Sequence, residues 1–92
     1  MFTGGGLVLV PSVAAFIDSI GCVQFRMGKH SKAVDHLRRA LSLIKDPEIA
    51  AHLGEVLWEM GNKADALNVL ESALEEHPKH EALMGAMKRL GL

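Results

Sequence analysis

The sequence predicts an all-α protein made of antiparallel helix pairs stacked as an array. Residues recur at an interval of 33: Gly21 with Gly54, Gly28 with Gly61, Ala33 with Ala66, Leu37 with Leu70, and Ala40 with Ala73. Within each copy the apolar residues fall three and four apart, the spacing of a helix face. Glycine and proline stops then divide each copy into two helices. Laying residues 14–46 over 47–79 also matches Val23 with Val56, Met27 with Met60 and Leu41 with Leu74. Repeats of this length describe a supersecondary unit that buries its core by stacking on its neighbours.

The first helix of the first copy, A1, is expected to begin near Ser12 or Val13, with Ser12 as its cap after Pro11. Its core candidates are Ala14, Ile17, Ile20, Val23 (or Gln24) and Met27, and Gly28 ends it. Helix B1 starts at His30 or Ser31 and carries Ala33, Leu37, Ala40, Leu41 and Ile44 on one face. Asp46-Pro47 is a strong start signal. The aspartate can cap, and proline at the first helical position loses nothing by lacking an N–H. Helix A2 then runs to about Met60, with Ile49, Leu53, Val56, Leu57 and Met60 inward, until Gly61-Asn62 breaks it. Helix B2 covers about Lys63 to Glu76, and His77-Pro78 stops it. A last helix, about His80 to Leu90, presents Leu83, Met84, Met87 and Leu90 and is expected to cover the end of the second copy. The expected organisation is an apolar, loosely packed lead-in over 1–11 and a repeat domain over 12–92. That domain divides into repeats at 14–46 and 47–79 and a capping helix at 80–90.

Composition narrows the function. A net charge of −1 with no basic cluster gives nothing to hold a nucleic-acid backbone. With no tyrosine, one tryptophan and three phenylalanines, there is no aromatic platform for stacking bases. A single cysteine cannot close a disulfide within the chain. The first 17 residues carry no charge, but Gly4-Gly5-Gly6 and Pro11 interrupt the run and Asp18 closes it, so direct membrane insertion is not expected. The run also lacks the basic start of a signal peptide. Ser19-Ile20-Gly21-Cys22 has only the Gly-Cys of a lipoprotein processing site, and Gly21 already has a packing role in the repeat.

The recurring positions resemble the tetratricopeptide repeat family, whose signature is W-x2-L-G-x2-Y, then A-x3-F and a closing proline. In the second copy Ala50 stands for the leading Trp, Leu53-Gly54 keeps the Leu-Gly pair and Leu57 takes the Tyr place; Ala66, Leu70, Ala73 and Pro78 complete the pattern. The first copy offers Ile17, Ile20-Gly21, Gln24, Ala33, Leu37 and Ala40, with Lys45 in place of the proline. The small residues let neighbouring helices approach closely, so Gly54→Leu should overpack by about 1–3 kcal/mol. The interval here is 33 rather than the family's usual length of about 34. The shortfall falls near Lys45-Asp46.

This resemblance implies a right-handed α-solenoid that binds a protein or peptide on a concave face lined by the A helices. The ligand-facing places carried over from the family are Ala15, Asp18, Cys22, Phe25 and Arg26 in the first copy. In the second they are Glu48, Ala51, Glu55, Trp58 and Glu59. The clamp with which some members grip a carboxy-terminal carboxylate is not matched, because Glu55 stands at its asparagine place and Arg26 alone is positive. The implied partner is therefore neutral or basic rather than acidic. The style of 46–58 is also similar to the carboxy-terminal part of longer bacterial members. That likeness implies either the cytoplasm or a periplasmic setting associated with an outer-membrane lipoprotein.

Each reading has a plainer counterpart. Glu48, Glu55 and Glu59 also fit a solvated helix face, and Phe25 and Trp58 also fit packing between repeats. Cys22 and the five histidines form no CxxC or HExxH spacing, and His77 and His80 flank a turn without two further ligands. Gly4-Gly5-Gly6 lacks the Lys-Ser or Lys-Thr of a phosphate loop. No catalytic residue, metal or cofactor is expected. The alternative to a binding module is a structural capping or self-assembly segment, with homo-oligomers forming through the N-terminal apolar edge.

Overall fold

The computed structural model describes residues 3–92, with side chains described for residues 11–92. Five helices make up the described chain: α1 (Thr3–Arg26), α2 (His30–Leu43), α3 (Pro47–Glu59), α4 (Lys63–Glu76) and α5 (Glu81–Arg89). They divide into two compact units, Met1–Ile44 and Lys45–Leu92. In the first, α1 packs on α2; in the second, α3 packs on α4 and α5, and α4 also touches α5. No helix of the described residues is long and apolar enough to cross a membrane.

Each A helix ends in the same way. Gly28 has φ +82° and Gly61 φ +90°, a left-handed conformation that glycine adopts without steric cost. The Gly28 N–H donates to the Phe25 carbonyl at 3.0 Å, and the Lys29 N–H to the Gln24 carbonyl at 2.8 Å. Gly61 to Trp58 at 3.0 Å and Asn62 to Leu57 at 2.9 Å repeat the pattern. These are the paired bonds of a Schellman motif, which satisfies carbonyls that the helix end would leave open. The start of α3 is equally well defined. Asp46 Oδ1 accepts the Glu48 N–H at 2.7 Å and Pro47 opens the helix.

Close approach within each unit depends on a glycine facing a leucine. A Cβ built on Gly54 would stand 2.6 Å from Leu70 Cγ, and one on Gly21 would stand 2.8 Å from Leu37 Cγ. Both leucines are fully buried, as are Ala33, Ala40 and Ala66. In the second unit Leu53, Leu57 and Leu83 join them, so α5 is anchored by Leu83 and Ala86.

Several expectations need revision. Helix α1 does not begin at Ser12 but at Thr3, and runs through Pro11. Glycine and proline cost a helix interior about 1 and about 3 kcal/mol, which are penalties and not prohibitions. The packing of the 1–11 lead-in falls on side chains that lie, apart from Pro11, outside the described residues. Val23 and Met27 are not core: they are 56% and 61% exposed. Met60 caps α3 from an exposed position, and Met84 is also exposed. His80 precedes α5 as its cap, its Nδ1 accepting the Ala82 N–H at 3.1 Å.

Candidate functional site

The residues expected to face a partner lie on the first helix of each unit, and each unit is best described by itself. On α1, Asp18 and Cys22 are half-buried one turn apart, and the Cys22 thiol donates to Asp18 Oδ1 across 3.9 Å, a weak bond of sulfur. Phe25 is half-buried, its ring 5.1 Å from that of His30 at a tilt of 38°. Arg26, in the last turn, is exposed, where a positive charge suits the negative helix end. Behind them, His36 Nδ1 on α2 lies 2.7 Å from Gln24 Oε1 and 3.1 Å from the Lys32 carbonyl. The contact with Gln24 ties α2 to α1.

On α3, Glu48 and Glu59 are exposed, while Glu55 and Trp58 are half-buried. Ala51 differs from the rest: it is 2% exposed, so its methyl group is not offered to solvent. The two half-buried groups each hold a cation of the same unit. Arg89 on α5 grips Glu55 with two bonds, Nη2 to Oε2 at 2.5 Å and Nε to Oε1 at 3.3 Å. Hydrogen bonding to Glu55, then the charge of that carboxylate, raises the guanidinium above its usual range. Lys63, the first residue of α4, sets its Nζ 5.0 Å from the centre of the Trp58 ring, within cation–π range. An open cleft in the same unit is lined by Glu48, His80, Glu81 and Ala82.

Arg89 and Lys63 escape a reading of the sequence by single motifs. Lys63 follows Trp58 by five residues across a turn, where helical spacing gives no guide. Arg89 lies 34 residues after Glu55, one residue more than the internal repeat, so the repeat itself was the available signal. What both arrangements can do is electrostatic: a carboxylate and an aromatic face, side by side on one helix, each attract a positive group.

Comparison with known proteins agrees with the repeat pattern. A family model described as tetratricopeptide repeat matches residues 24–90. A TPR repeat-containing protein of Pseudomonas aeruginosa is 47% identical over 47 residues, a stretch that is 51% of this chain and 8% of that protein. The chain thus matches less than a tenth of that relative's length.

Proposed function

Because the chain belongs to the tetratricopeptide repeat family, we propose that its A-helix surfaces hold a segment of a partner protein that is neutral or basic rather than acidic. At the coarser level the chain is a protein-interaction module of the tetratricopeptide kind. The finer reading is carried by one observation: Glu55 and Trp58, two places expected to receive a partner, each hold a cation from their own unit. A lysine or arginine of a partner would compete with Arg89 and Lys63 for the same groups. An acidic segment would instead meet Glu48, Glu55 and Glu59 on α3 and Glu81 at the cleft. Trp58 is the residue best suited to dominate the contact, since aromatic anchors carry a large share of interface energy.

The same ion pair favours a second reading. With Glu55 taken by Arg89, the last helix could serve as a lid on the second unit, in a capping or assembly role without a ligand. A synthetic peptide library sorted by charge separates the two. The native chain is compared with an Arg26→Glu, Glu55→Lys, Trp58→Ala variant shown by circular dichroism to stay helical. The binding reading expects basic and neutral peptides to be retained, acidic ones not, and the preference to vanish in the variant. Equal retention by both proteins would assign the surface to capping.

A further inference from the structure

Of the helices α2 to α5, only α3 and α5 start under a side-chain cap, and the two caps differ in chemistry. Asp46 closes α3 with a carboxylate oxygen, whereas His80 closes α5 with a ring nitrogen, Nδ1, that accepts the Ala82 N–H at 3.1 Å. An imidazole nitrogen accepts only while it holds no proton, and an unperturbed imidazole takes up its second proton at about pH 6.5. Once it has done so, both ring nitrogens are donors. The Ala82 N–H then loses its partner, and a positive charge stands at the positive end of the helix dipole.

Helix α5 is poorly placed to bear that loss. It is the shortest of the described helices, with nine residues, and Leu83 and Ala86 are its buried side chains. The turn that leads into it is strained: Lys79 has φ +63°, a left-handed conformation that a residue with a Cβ adopts at a cost. The same turn brings the His77 ring edge-on to that of His80, 6.1 Å between centres, and the His80 N–H donates to the His77 carbonyl at 3.2 Å. Glu48 of α3 and Glu81 of α5 line the cleft beside His80. These carboxylates draw a proton towards the ring, while Lys79 and a charged His77 oppose it. With both imidazoles charged, residues 77–80 hold three positive groups ahead of the helix.

We propose that His80 is an acid-sensitive latch for α5, holding the helix start closed near neutral pH and letting α5 come off α3 in mild acid. The sign follows from proton linkage. The capped form excludes the second proton and the released form accepts it, so falling pH favours release. Release takes Arg89 off Glu55 and uncovers the surface against which Leu83 and Ala86 pack. The cap of α3 does not share this response, because a carboxylate keeps its acceptor oxygens through the range in which imidazoles titrate. The latch works without any partner, so it stands apart from the peptide-binding reading.

Hydrogen exchange of the whole chain by NMR tests it, read as protection factors that divide out the intrinsic effect of pH on exchange. Between about pH 7.5 and about pH 5.5, the range in which imidazoles titrate, protection of the α5 amides should fall about five- to tenfold. His80→Asn keeps a capping acceptor that does not titrate, so its protection should not change with pH. His80→Ala should be less protected than the native chain at about pH 7.5 and equally insensitive to pH. His52→Gln and His77→Gln, at the other histidines of the second unit, should keep the fall. Native α5 protection that does not change with pH overturns the proposal. So does a fall of the same size in His80→Asn, the loss of the fall in His52→Gln or His77→Gln, or native-like protection of His80→Ala at the higher pH.

Discussion

Gly54 and Leu70 form a lock at the scale of single side chains. The leucine fills the space that the glycine leaves, and a methyl group there would stand 2.6 Å from Leu70 Cγ. Helix propensity alone favours Gly54→Ala by about 1 kcal/mol. Overpacking opposes it by about 1–3 kcal/mol, and Leu70 is too enclosed to yield freely. We expect Gly54→Ala to be net destabilising in urea denaturation; a gain in stability would show that Leu70 moves aside. Both locks were legible in the sequence, because Gly21 and Gly54 recur in phase and their leucine partners recur with them. Ala51 was not, because an alanine on a helix gives no sign of whether it faces solvent.

At the scale of elements, α5 raises the question of what holds so short a helix. Nine residues are too few to persist alone in water, so packing must supply its stability. Two attachments compete for the credit: Leu83, fully buried, and the Arg89–Glu55 pair, whose side chains are 60% and 24% exposed. A buried leucine cut to alanine costs about 2–5 kcal/mol, whereas an exposed ion pair contributes less than about 1 kcal/mol. Leu83→Ala should therefore lower the urea midpoint far more than Arg89→Ala, and only the arginine's effect should shrink in high salt. Equal losses would mean that the ion pair is the stronger anchor. The boundaries of α2, α3 and α4 were readable from Gly28, Asp46-Pro47, Gly61 and His77. The start of α1 was not, because three glycines and a proline look like a break although the helix continues through them.

At the scale of the whole molecule, the repeat predicted two helix pairs, α1 with α2 and α3 with α4. It did not predict exposure. Val23 and Val56 are equivalent in sequence, yet one is 56% exposed and the other 2%. A periodic pattern marks a face as apolar and does not say whether the chain itself covers that face. The places expected to face a partner rest on family resemblance alone, and the cations at Glu55 and Trp58 come from residues on other helices.

The glycine-ended turns have a consequence that solvent exchange can read. Amides in short connections between helices usually open quickly to water, but those of Lys29 and Asn62 are bound to carbonyls five residues back, at 2.8 and 2.9 Å. Their deuterium uptake should be slow, closer to that of helical amides than to that of exposed loops. If instead these two amides exchange as fast as those at the chain ends, the turns are hinges rather than rigid elbows.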